Sequence, residues 1–250
     1  MRIIVVSSAE DIGGQGASEV EAALASTPSP ILGVATGSTP LPVYEALARR
    51  RSISAEEVTA FGLDEYVGFS PNHPQSYHAF IAEHVTAPFG LDPCRVHLPD
   101  GTADDPAAEA ARYERAIHEA GGATIQILGI GSNGHIGFNE PPSPLASRTR
   151  VVSLASQTRR DNARFFDDVK DVPTEAITQG IGTILTSRRL LLLAIGIEKA
   201  DALVHALEGP VTPSCPASAV QLHADVVVIA DSAAASRLVL TKRCESLRYA

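Results

Sequence analysis

Seven short runs rich in Val, Ile and Leu, most of them unbroken by polar residues, limit what this chain can fold into. They fall at residues 3–6, 31–35, 58–63, 125–130, 151–154, 190–195 and 226–229. A continuous apolar run of this length suits a strand covered on both faces, whereas a half-exposed strand would alternate. Between several of them lie helix-like stretches. Residues 9–26 repeat small apolar residues among Glu and Gln. Residues 41–51 start just after Thr39-Pro40, a favourable helix start, and residues 106–120 run Ala- and Glu-rich into Gly121-Gly122, a favourable stop. Alternating strand and helix signals predict an α/β fold, an open, doubly wound, mainly parallel Rossmann-like sheet with helices on both faces. The stretch 174–189 is ambiguous, because Gly180 and Gly182 weaken a helix there.

Length fits this picture. The 250 residues are 44% hydrophobic and 20% charged, enough to bury a substantial core as one domain spanning 1–250. The Pro-rich stretch 141–144 reads as an ordered loop rather than a linker. Twenty Lys and Arg against 29 Asp and Glu give a net charge of −9, which argues against nucleic-acid or anionic-membrane partners. The longest strong apolar candidate, 190–197, is far too short to span a bilayer. Cys94, Cys215 and Cys244 form no CxxC pair or disulfide framework, so a reducing cytoplasmic setting is expected.

Three polar segments follow predicted strands: Thr36-Gly-Ser-Thr-Pro40, Asp64-Glu-Tyr66 and Gly131-Ser-Asn-Gly-His135. In an open α/β sheet, the carboxyl ends of strands line the ligand crevice, so these distant segments are expected to meet. Backbone N–H groups of Thr36, Gly37, Ser38 and Thr39, just before a helix, can hold a phosphate; a capped strand-to-helix turn reads equally well. Asp64 is the candidate general base, because of two adjacent residues only one is expected to enter the site. His135 with Glu140 suits a proton shuttle, with Asn133 able to bond either His135 or substrate. No HxxxH, HExxH or GxSxG pattern occurs, so neither a metal nor a hydrolase triad is indicated.

These motifs carry a likeness. Thr36-Gly-Ser-Thr-Pro40, Leu63-Asp-Glu-Tyr-Val-Gly68 and Gly129-Ile-Gly-Ser-Asn-Gly-His-Ile-Gly-Phe-Asn-Glu-Pro141 resemble those of glucosamine-6-phosphate deaminases. Thr158-Arg-Arg-Asp-Asn-Ala-Arg-Phe-Phe166, Leu145-Ala-Ser-Arg-Thr-Arg150 and Ser218-Ala-Val-Gln-Leu-His223 support it. Related 6-phosphogluconolactonases share the general fold, but their Gly-His loop does not, as a rule, continue as Ile-Gly-Phe-Asn-Glu-Pro. The resemblance implies conversion of glucosamine 6-phosphate and water to fructose 6-phosphate and ammonia, with no cofactor and no metal. It implies that His135, backed by Glu140 and Asn133, opens the pyranose ring. Asp64 then moves a proton from C2 to C1 through an enolamine. Arg164 and Lys199 match basic phosphate ligands, Gly129 joins the substrate-binding set, and residues 154–176 would form a lid. A lactonase-like hydrolase, a related sugar-phosphate isomerase and a non-catalytic sugar-phosphate sensor are the alternatives. A homo-oligomer is compatible with the likeness. Some bacterial members are hexamers activated by N-acetylglucosamine 6-phosphate. This chain keeps Ser143, Arg150 and Tyr249 of the matching region, but carries Val152 in place of a lysine and Pro144 in place of a serine.

Overall fold

The computed structural model describes residues 1–163, 166 and 168–239. Its strands are β1 (Arg2–Val6), β2 (Ile31–Val34), β3 (Thr59–Gly62), β4 (Asp64–Tyr66), β5 (Val96–His97), β6 (Ile125–Gly129), β7 (Arg150–Ser153), β8 (Glu175–Thr178), β9 (Leu190–Ala194) and β10 (Val226–Asp231). The helices are α1 (Ala9–Leu24), α2 (Leu41–Arg50), α3 (Tyr77–Ile81), α4 (Ala87–Phe89), α5 (Pro106–Glu119), α6 (Ser156–Asn162), α7 (Ile181–Ile184) and α8 (Ala200–Leu207). Among the described residues no helix is long and apolar enough to cross a membrane.

Seven strands form one parallel sheet in the order β1-β10-β9-β6-β2-β3-β5. From β2 the chain builds outward through β3 and β5. It then returns across β2 to add β6, β9 and β10 on the other side. The winding therefore reverses between β2 and β6, and a crevice opens at their carboxyl ends. Every residue of β9 is buried, as is most of β6 and β10, in keeping with their unbroken apolar sequences. Helices cover both faces. Ala60 packs in the main core with α1 and α2, while its neighbour Phe61 packs with Tyr113 and Ile117 of α5. Successive strand residues point to opposite faces, so α5 lies across the sheet from that core. Local signals set the helix starts: Ser8 Oγ accepts from the Asp11 N–H at 3.1 Å, and Asp105 accepts from Ala107 and Ala108 at 3.0 Å.

A second, three-stranded antiparallel sheet, β4-β8-β7, departs from the sequence expectation of a single sheet. The run 58–63 does not simply end before Asp64. The Leu63 N–H bonds Val34 O of the main sheet at 3.1 Å, and its carbonyl accepts from Gln179 N of the small-sheet side at 2.8 Å. The chain changes sheets at this one residue, and Asp64 begins a new strand. Likewise β7 is half-buried rather than covered on both faces, and it lies at the edge of the small sheet beside β8. The ambiguous stretch 174–189 resolves into β8, a bend at Gly180 and the one-turn helix α7. Within the expected lid lie α6 and a 3-10 turn, Val169–Asp171.

Candidate active site

The crevice between β2 and β6 collects the three polar segments. The 36–39 loop leaves β2, and Gly129 ends β6 beside it: a methyl on Gly129 would lie 3.9 Å from Thr39 Cβ. Gly37 adopts φ +89°, a left-handed conformation that glycine takes without strain, and a methyl there would meet nothing within 4 Å. Tyr77 donates its hydroxyl to that of Tyr66 at 3.3 Å. Lys199 ends the turn Ile197–Lys199 that follows β9, the strand beside β6, and so stands on the same carboxyl edge. Arg164 lies outside the described residues.

Asp64 and Glu65 have separate fates, as the adjacency argument expects. Glu65 is fully buried and accepts the N–H groups of Tyr66, Tyr77 and His78 at 2.8, 3.0 and 2.9 Å, anchoring the start of α3. Burial pushes its carboxyl upward from the usual range, opposed by those three donors. Asp64 is 5% exposed and faces the 131–141 loop. Burial, then the charge of Glu65, raises it from 3.8 to about 8, while the Phe138 N–H acts the other way. A carboxyl shifted this far is a much stronger base, once ionised, than an exposed one.

The loop that meets Asp64 is held from the small sheet. Asn139 is buried, donates to Ile136 O and Gln179 O at 2.9 and 2.8 Å, and accepts from Arg150 at 2.8 Å. Phe138 N–H donates to Thr178 Oγ1 at 3.2 Å, and Thr178 sits opposite Asp64 in the sheet register. Gly137 threads between them at φ +54°; a methyl there would approach Asp64 Oδ2 to 3.3 Å and Thr178 Oγ1 to 3.1 Å. Gly137→Ala is therefore expected to destabilise the fold by about 1–2 kcal/mol through left-handed strain and to displace the carboxylate. Thermal denaturation and turnover of the variant check this together, and both should fall.

His135, Asn133 and Glu140 form a chain of contacts. Asn133 Nδ2 donates to Glu140 Oε2 at 2.6 Å, and its Oδ1 lies 2.7 Å from His135 Nδ1. Glu140 Oε2 is itself 3.7 Å from that ring nitrogen. A carboxylate only accepts, so the amide nitrogen must face Glu140 and the amide oxygen must face His135. That oxygen can only accept, so Nδ1 carries the hydrogen and Nε2 is the basic nitrogen of the ring. Asn133 thus bonds both partners rather than substrate. Among the described residues no three His, Cys, Asp or Glu side chains are gathered as a metal site.

Sequence reasoning passed over several contributors. Asn139 was visible inside the third motif but had no assignable role. Thr178 and Gln179 lie where helix and strand signals conflict. Thr158 donates its hydroxyl to Glu140 Oε1, and Asn162 Nδ2 donates to Tyr66 OH at 2.8 Å. Both belong to the Thr158–Phe166 motif, which likeness alone singled out.

Residues 7–229 match the family model described as glucosamine-6-phosphate isomerases/6-phosphogluconolactonase. The chain is 51% identical to the glucosamine-6-phosphate deaminase of Cutibacterium acnes, over 97% of this chain and 94% of that protein. It is 50% identical to the Streptomyces coelicolor protein of the same name, over 96% and 94%. Among solved structures, a monomeric glucosamine-6-phosphate deaminase superposes with a TM-score of 0.92 at 42% identity, covering 95% of this chain and all of that one. The 6-phosphogluconolactonase of Trypanosoma cruzi shares the fold, with a TM-score of 0.76 at 19% identity, covering 95% and 97%.

Proposed function

The chain belongs to the glucosamine-6-phosphate isomerase/6-phosphogluconolactonase family, and we propose that it converts glucosamine 6-phosphate and water into fructose 6-phosphate and ammonia. One observation carries the choice within the family: a desolvated carboxyl, Asp64, faces the loop that carries a separately wired imidazole, His135. Lactone hydrolysis needs an activated water and has no step that removes a proton from carbon. An aldose–ketose shift requires such a step, and a shielded carboxylate supplies it. The relatives of about 50% identity named as deaminases point the same way.

The chemistry follows from the wiring. His135 Nε2 takes the proton of the anomeric hydroxyl and returns it to the ring oxygen as the C1–O5 bond breaks, leaving a C1 aldehyde. Glu140, through Asn133, supports the transient imidazolium. Asp64 removes the C2 proton while one ammonium proton passes to O1, giving the enolamine, and then delivers the carbon-derived proton to C1 to leave an iminium at C2. Water then adds at C2 and ammonia departs, leaving the ketone. The substrate's ammonium at C2 favours the ionised form of Asp64 on binding. Thr36, Gly37, Ser38 and Thr39 bind the phosphate through backbone N–H groups, with Arg164 and Lys199 adding charge and Gly129 leaving room for the sugar. Residues 154–176 close over the sugar and keep water from the enolamine. A cytoplasmic setting is part of the same reading, in keeping with the free thiols of Cys94 and Cys215. Following ammonia and fructose 6-phosphate release from glucosamine 6-phosphate tests the proposal; absence of either product ends it.

Regulation gives a separate expectation. Arg150 donates to Asn139 at 2.8 Å and to Ser143 at 3.3 Å, so both retained residues are engaged within the protein. Val152 packs with the Tyr66 and Phe138 cluster and offers no charge, and Pro144 offers no N–H. Tyr249 lies outside the described residues. Activation needs an effector that binds one state better than another. Without the charge and the donors that a lysine and a serine at these two positions would offer an effector's phosphate, kinetics in glucosamine 6-phosphate should be hyperbolic, with little response to N-acetylglucosamine 6-phosphate. A sigmoidal curve that becomes hyperbolic on adding that compound would show that other residues rebuild the effector site.

A further inference from the structure

Thr158 occupies the first turns of α6, is 6% exposed, and donates its hydroxyl to Glu140 Oε1. The opposite oxygen of the same carboxylate, Oε2, holds Asn133 Nδ2 at 2.6 Å and faces His135 Nδ1 at 3.7 Å. Packing alone does not call for a hydroxyl here, since valine has nearly the same volume. The other end of the helix is tied by Asn162 Nδ2 to Tyr66 OH at 2.8 Å, on the wall shared with Tyr77 and Phe138. When seated, α6 therefore touches the proton relay at one end and the aromatic wall beside Asp64 at the other.

We propose that Thr158 is a positioning residue that fixes Glu140 against the His135 relay from α6. This rests on the deaminase reading. The physical link is the placement of the Glu140 carboxylate, since the Asn133 amide is also held by the His135 backbone N–H, which donates to its Oδ1 at 3.1 Å. A carboxylate pinned at both oxygens stays 3.7 Å from His135 Nδ1, where its charge supports the imidazolium formed during ring opening. When Thr158 no longer holds Oε1, Glu140 turns about its own side chain and carries that charge away from the ring.

The test is a pair of substitutions read on two ligands. Thr158→Val should lower kcat on glucosamine 6-phosphate by roughly tenfold to a hundredfold, the worth of one hydrogen bond to a charged group. Its affinity for the reduced, open-chain amino alditol phosphate, which needs no ring opening, should stay within about twofold of wild type. Thr158→Ser keeps the donor and should restore most of the rate. Thr158→Ala gives the same expectation if the valine variant fails to fold. Wild-type kcat in the folded valine or alanine variant would overturn the proposal. So would equal losses in the serine and valine variants, or analogue affinity that falls in step with kcat. Wild-type protein that releases no ammonia would instead defeat the deaminase reading beneath it.

Discussion

Asp64→Asn should bind glucosamine 6-phosphate normally and turn it over ~10²–10⁴-fold more slowly, the usual loss when a general base is removed. Asparagine has nearly the same shape but cannot take a proton from C2. The same substitution should make the protein more stable, and the pH dependence of that gain is fixed by linkage. Asp64 keeps its proton up to about pH 8 in the folded chain, against 3.8 for an ordinary aspartate. Below about pH 4 both folded and unfolded chains hold the proton, and Asp64 makes no pH-dependent difference. As pH rises from 4 toward 8, the unfolded chain releases the proton and the folded chain does not, so wild type loses stability across that window. The asparagine side chain has no proton to release in either state. The variant's melting temperature relative to wild type should therefore climb between pH 4 and pH 8 and level off above. A folded Asp64→Asn protein with near-normal turnover would remove Asp64 from the mechanism; a flat melting difference across that window would show that Asp64 is not held protonated.

His135→Gln separates ring opening from enolisation. Glutamine can hydrogen-bond in place of the imidazole but cannot accept and return a proton. Turnover of the cyclic sugar should fall ~10²–10⁴-fold, while an open-chain substrate analogue is processed comparatively well, because Asp64 is untouched. The measurement is the ratio of the two rates in variant and wild type. Equal losses on both compounds contradict the division of labour between the two groups.

Much of the frame was legible because its strands are buried on both faces. β6, β9 and β10 have unbroken apolar sequences, and nothing local competes with that reading. The caps at Ser8 and Asp105 are equally local. The carboxyl ends of β2 and β6 supplied the loops that meet. The rest was hidden for particular reasons. The polar pair Asp64-Glu65 marks the end of the apolar run 58–63, but nothing local says that a new strand begins there. The change of sheets there is imposed by Val34 and Gln179, distant in sequence. β8 reads Glu-Ala-Ile-Thr, too short and mixed to announce itself, and its partners Asp64 and Arg150 are far along the chain. The hydroxyl of Thr158 finds Glu140 only after α6 packs, and no helical or strand period encodes that.

The change of sheets at Leu63 also governs what a breathing motion does to the chemistry. One peptide group of this residue belongs to the parallel sheet and the other to the small one, with Asp64 next in sequence. Detaching β8 from β4 breaks the Gln179 link and withdraws Thr178 from beside Asp64, letting water in. A hydrated Asp64 loses the desolvation that raises its proton affinity and reverts toward an ordinary, weakly basic carboxylate. Basicity is thus a property of the closed fold, lent to Asp64 by the seam on which it sits.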